Sequence, residues 1–159
     1  NLLINNKLYN IGTLGKPHSL NGYLYINHEL FFRKLDFKNK KIYIHNKPYE
    51  VEEIKKHLKN RFLIKLKNIN SIEEAEVLRN SKVSILKNEI NDYLNSGLPW
   101  PGFYINEKIN DDIEILGYFY SDKYIFCNVK DNDDNVIPYN EHYFSYKENE
   151  LKLLNKLIN

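Results

Sequence analysis

The 159 residues predict a mainly β protein: two small antiparallel β-barrels joined by a short linker, with one short helix in the N-terminal barrel. Three observations lead there. Short segments of alternating apolar and polar residues recur along the chain, bounded by turn formers. A single stretch combines helical spacing with a capping signature. A proline- and glycine-bearing segment coincides with a reversal in the sign of the charge. The boundaries that follow are a barrel domain over 1–90, a linker over 91–102 and a second domain over 103–159.

In the first domain, Lys7 to Leu14 alternates and is rich in β-formers, and Gly22 to Asn27 sets Tyr23 and Tyr25 against Leu24 and Ile26. Lys41 to Ile44, Tyr49 to Ile54, Phe62 to Lys67 and Lys82 to Leu86 repeat the pattern. The helix is Ser71 to Arg79. Ser71 and Glu74 have capping-box spacing, Glu73, Glu74 and Glu76 crowd the positive end of the dipole, and Ile72, Ala75 and Leu78 share a face. Asn80, tolerant of the left-handed conformation, ends it. Asn91 to Gly102 holds two X-Pro bonds, which disfavour helix. Beyond it, Phe103 to Ile109, Ile113 to Tyr120, Tyr124 to Val129, Asn135 to Pro138, Tyr143 to Lys147 and Glu150 to Leu154 read as strands joined by polar turns. The tail from Lys156 is expected to fray.

Composition narrows the function classes. Mean hydropathy is −0.60, yet 14% of residues are aromatic, enough bulk for a core. No stretch approaches the ~18 apolar residues of a membrane span, and the apolar run at Leu2-Leu3-Ile4 is too short for a signal peptide. The chain opens without methionine, as a trimmed start would. A lone Cys127 excludes a disulfide framework and fits a reducing compartment; the expectation is a cytoplasmic protein, with an organelle that keeps its own ribosomes left open. Charge is partitioned: residues 1–90 carry 14 Lys and 3 Arg against 9 acids, a balance of +8, while 91–159 carry 6 Lys against 12 acids, a balance of −6. A basic half suits a polyanion and an acidic half a basic protein; lysine scattered over a solvated face is the plainer alternative.

The segment Gly12 to Gly22 holds three glycines with Lys16, Pro17 and His18. A phosphate loop would open a helix, whereas a β-like run follows Gly22, so the segment reads as a wide hairpin that places Lys16 and His18 on an ordered loop near RNA. The five histidines, His18, His28, His45, His57 and His142, lack metal-ligand spacing and read as isolated surface residues; no metal and no cofactor is expected. Cys127 sits in an apolar strand without an activating base and reads as a packed thiol. Asp131 to Asn135 lacks the glycine and the twelfth-position Glu of a calcium loop, and reads as a hairpin tip. With no nucleophile, paired carboxylates or dinucleotide motif in view, the chain is expected not to be an enzyme. The basic residues are better furnished: Arg33 and Lys34 in one cluster, Lys55, Lys56 and Arg61 in another, interleaved with aromatic rings that suit base stacking.

The order of these pieces resembles the RimM family of ribosome maturation factors. Ile11-Gly12-Thr13 through His18 to Gly22 stands where that family has its opening strand and His-Gly loop, with Ser19 at the usual loop glycine and Asn21 at the usual basic residue. Glu74-Ala75-Glu76-Val77-Leu78-Arg79 matches its helix, and the second half looks like its PRC-barrel through Trp100-Pro101-Gly102-Phe103, Leu116-Gly117-Tyr118 and Val136-Ile137-Pro138. The resemblance implies a non-enzymatic factor that assists assembly of the small (30S) subunit head and processing of 16S rRNA by binding ribosomal protein S-nineteen, acting as a monomer off the membrane. On that reading Trp100, Phe103 and Tyr104 are partner anchors, Trp100 being alternatively an interdomain plug, and Asp111, Asp112 and Glu114 steer a basic partner. The alternative is a general RNA-binding barrel without a ribosomal protein partner.

Overall fold

The computed structural model describes residues 7–90 and 97–154. The first half of the proposed linker, 91–96, and the tail from 155 lie outside the described residues. The chain divides into two compact units, Asn1–Ile90 and Asn91–Asn159.

The first unit is a closed barrel of six strands: β1 (Leu8–His18), β2 (Tyr23–His28), β3 (Lys41–Ile44), β4 (Lys47–His57), β5 (Arg61–Leu66) and β6 (Lys82–Leu86), ordered β1-β2-β5-β4-β3-β6. Period-2 alternation sends Leu24, Ile26, Ile42, Ile44, Val83 and Ile85 inward, where they meet Ile11, Leu14, Val51 and Ile64. Register shifts in β1 (Asn10/Gly12, Leu14/Pro17) and in β4 (Val51/Glu53) bend the strands enough to close the ring. Two strands run longer than the alternation predicts. β1 continues through His18, so Lys16 and His18 stand on a strand, not on a loop, and the turn is only Ser19 to Gly22. A 3-10 helix over Leu30–Lys34, unforeseen in the sequence, buries Phe32.

The helix is α1 (Ile72–Glu76), shorter than the spacing predicts. The Ser71 hydroxyl accepts from the Glu74 amide at 3.1 Å, and the Glu74 carboxylate accepts from the Asn70 amide at 2.9 Å. Ser71→Ala is expected to lower unfolding stability by about 1 kcal/mol, read from the urea midpoint. Asn80 is left-handed as anticipated (φ 66°), and its amide bonds the Leu14 carbonyl at 3.0 Å, fastening the helix exit to β1. Ser19 also takes a left-handed backbone (φ 74°) without the freedom of glycine. Ser19→Gly is therefore expected to raise the melting temperature, by up to about 1 kcal/mol of stability. A second short helix, α2 (Lys87–Ile90), follows β6.

The second unit is antiparallel β as expected, its described strands divided between two sheets. One is ordered β10-β9-β8-β7, built from β7 (Lys108–Ile109), β8 (Ile113–Ser121), β9 (Tyr124–Asp131) and β10 (Asp133–Pro138); the other pairs β11 (Phe144–Lys147) with β12 (Glu150–Leu153). Both enclose one core of Ile109, Ile113, Ile115, Cys127, Val129, Ile137, Tyr139, Phe144, Leu151 and Leu153. Cys127 is the packed thiol foreseen, its pKa pushed up to about 12 by burial. Phe103 to Glu107 is not strand. Pro101–Tyr104 forms a 3-10 helix instead, with proline at its first position where a missing amide costs nothing.

Candidate nucleic-acid interface

Register decides which basic residues of the barrel act together. Leu24 pairs Ile64 on the inner side of the barrel, so Ile26, Phe62, Lys56 and Ile54 follow on that side, while Tyr25, Leu63, Lys55, His57 and Arg61 fall on the other. At the end of the barrel where β2 finishes and β5 begins, a cavity of about 290 Å³ is lined by His28, Arg33, Lys34, Leu35, Asp36, Ile54, Lys55, Lys56 and Phe62. Four of the seven residues expected near RNA thus line one concavity, from the 3-10 helix and β4, although the Lys55 ammonium turns to the Tyr23 ring. Arg33 is held in place: its Nε donates to the His28 carbonyl at 2.8 Å and its Nη2 to Asn27 Oδ1 at 3.1 Å. Its guanidinium lies 5.7 Å over the Phe62 ring. Lys34 and Lys56 are exposed and make no ion pair among the described residues.

On the outer surface every tyrosine of β2 carries a cation. The Arg61 guanidinium lies 3.7 Å over Tyr25, and Lys55 Nζ lies 4.9 Å over Tyr23, whose hydroxyl donates to Glu53. His18 joins this patch through the Tyr25 hydroxyl at 3.2 Å, and its ring centre lies 4.7 Å from that of His57, tilted by 55°. Lys16 is exposed further along β1. Lys65 of β5 is buried and spent internally: Nζ donates to the Leu66 carbonyl at 2.9 Å and Asn70 Oδ1 at 3.0 Å.

The histidines are not all isolated on the surface. His28 is only 3% exposed, packs edge-on to Phe62 at 5.1 Å, and neither ring nitrogen has a hydrogen-bond partner among the described residues. Burial first, then the nearby Arg33 charge, lowers its pKa from 6.5 to about 4. Below pH 6.5 the unfolded chain takes up a proton that the folded barrel refuses until about pH 4. Stability present above pH 6.5 is therefore lost as pH falls toward 4, by on the order of 3 kcal/mol. His28→Leu is expected to flatten this part of the profile, measured as urea midpoints at neutral and acid pH against the parent chain.

The anchors proposed for the second unit are corrected by burial. Trp100 is 3% and Phe103 is 4% exposed. The Trp100 ring lies 5.1 Å from Phe103 and 6.0 Å from Tyr118, and Gly102 passes so close beneath it that a Cβ there would strike the indole. The hydroxyl of Tyr139 donates to the Pro99 carbonyl at 2.6 Å, closing the same corner. These aromatics are core because the two prolines and the glycine fold the segment onto its own unit. Tyr104 is half-buried against that core, Glu114 is half-buried on β8, and Asp111 and Asp112 are exposed.

The exposed apolar surface lies elsewhere, on the outer face of β8, β9 and β10. Phe119 pairs Phe126, which pairs Pro138; their rings stack at 5.5 Å and 16°. Phe119 is 41%, Val136 51% and Tyr124 59% exposed. The register alone tells which of these residues face outward, because the bulge between Ile115 and Gly117 reverses the parity of β8, and no single-strand alternation signals it.

A family model described as the RimM N-terminal domain matches residues 9–90. Among solved structures, the chain is similar to the N-terminal domain of RimM from Thermus thermophilus, at 20% identity and a TM-score of 0.46 over 53% of this chain and 94% of that one. It is also similar to a Pseudomonas aeruginosa protein described as a putative 16S ribosomal RNA processing protein RimM, at 13% identity and a TM-score of 0.44 over 94% of this chain and 98% of that one. No curated protein matches. The matched span is more than half of the 159 residues and coincides with the closed barrel and its capped helix: the chain belongs to the RimM family.

Proposed function

We propose that this protein is a non-enzymatic ribosome maturation factor that binds the immature small (30S) subunit. Membership of the RimM family is the observation that carries this reading. In it, the barrel turns its basic residues toward 16S rRNA: Arg33, Lys34 and Lys56 at the cavity, with His18, Lys55 and Arg61 on the tyrosine patch. The second unit is a PRC-barrel that receives ribosomal protein S-nineteen, a basic partner suited to a half-chain with a balance of −6. The docking surface is the stacked Phe119/Phe126 pair with Tyr124 and Val136, flanked by Asp122, Asp133 and Asp134, in place of the buried Trp100 and Phe103.

Titration of the whole chain against rRNA and against S-nineteen tests the division of labour. Charge reversal at Lys34 and Lys56 is expected to weaken rRNA binding and leave S-nineteen binding intact, and both affinities are expected to fall with salt. Affinity for rRNA without any for S-nineteen would favour the general RNA-binding barrel.

A further inference from the structure

The cavity at the barrel end has three properties that together define a ligand. It is cationic, with Arg33, Lys34 and Lys56 against the single acid Asp36. It is also partly apolar, with Phe62, Leu35 and Ile54 in its wall. Its volume of about 290 Å³ stands at the lower limit of small-ligand sites, too small for a duplex and sufficient for one planar ring and its attached anion. Asp36 is already engaged, accepting from the Lys38 amide at 2.9 Å, whereas Lys34 and Lys56 have no anion of their own among the described residues. His28 adds buried hydrogen-bonding capacity that nothing among the described residues satisfies, a cost that a native fold seldom carries without a use.

We propose that this cavity accepts a single unpaired nucleotide of an RNA strand, its phosphate against Lys34, Lys56 and Arg33 and its base against Phe62. This rests on the RNA-facing reading of the barrel given above and names the element of RNA it grips. The remaining cations act differently: Arg61 and Lys55 lie on their tyrosine rings on the outer surface and track the backbone of the flanking strand. A base held in this way is unstacked from its neighbours, against a Phe62 ring that the buried His28 imidazole meets edge-on.

The test is a titration of the full chain with a single-stranded ribo-oligonucleotide carrying 2-aminopurine, with the same sequence as a duplex, and with a free nucleoside monophosphate as competitor. The single strand is expected to bind at least about tenfold tighter than the duplex, with a change in 2-aminopurine fluorescence and displacement by excess mononucleotide. Replacing the exposed Lys34 and Lys56 together by alanine is expected to reduce the slope of log affinity against log salt by about 1.4. Phe62→Leu is expected to abolish the fluorescence change and leave that slope unaltered. Equal affinity for duplex and single strand, unchanged fluorescence at saturation, or a lysine double variant that binds like the parent would each overturn the proposal. Co-sedimentation with immature small subunits measures the underlying reading separately. A chain that binds those particles but fails with the oligonucleotide overturns the cavity assignment alone; one that binds the oligonucleotide and ignores the particles overturns the maturation reading alone.

Discussion

Gly22→Val is expected to cost the barrel about 3–5 kcal/mol, a large part of the ~5–15 kcal/mol that holds a domain together. Gly22 has φ +94°, a conformation that a β-branched residue adopts only under strain. It is also buried against backbone: a Cβ would press into the Ile69 carbonyl and lie 3.1 Å from the Asn70 amide. Those two residues lead into the Ser71 cap, so relief of the collision would displace the helix entry or open the β1–β2 turn. Neither is a flexible side chain that can step aside. Urea unfolding followed by circular dichroism is the measurement, and a midpoint within error of the parent would show that the turn yields freely.

Phe119→Asp is expected to weaken binding to S-nineteen by about 2–4 kcal/mol, on the order of 30- to 1,000-fold, while the melting temperature changes little. Phe119 stacks on Phe126 yet keeps 41% of its surface in solvent, so the substitution removes contact area and adds a charge at the centre of the patch without opening the core. Trp100→Ala provides the contrast. That ring is packed against Phe103, Tyr118 and Gly102, so its removal is expected to destabilise the unit by about 3–5 kcal/mol, with any loss of binding following from unfolding. Calorimetric titration paired with thermal melts separates the two variants.

Legibility in the sequence followed the range of the forces involved. Alternation is local, so β3 and β6 are read correctly to the residue and the capped helix is placed by its Ser71–Glu74 spacing. Features set by tertiary contact were not visible. The continuation of β1 through His18 depends on pairing with Tyr23 and Leu24 across a bulge, and strand alternation is obscured there by glycine and proline. Trp100 reads equally as a partner anchor or as a buried plug because a lone tryptophan beside two prolines gives no clue to its neighbours; the glycine two residues on, which lets the indole lie flat, is the one signal that was available. The basic clusters were legible as composition, but only the β4–β5 register divides them, sending Lys56 to the cavity and Arg61 to Tyr25, while Lys65, of the same parity as Arg61, is buried where it bonds the Leu66 carbonyl and Asn70. The exposed Phe119/Phe126 pair was hidden for the same reason, since each strand alone offers both parities.

Family membership, a cationic cavity on one unit and an acidic unit with an aromatic face all bear on one particle, and co-sedimentation of the whole chain with immature and mature small ribosomal subunits addresses it most directly. Retention on the immature particle, release as salt rises, and loss on charge reversal at Lys34 and Lys56 or on Phe119→Asp are expected. Equal recovery with mature subunits, or recovery with neither, would contradict the maturation reading.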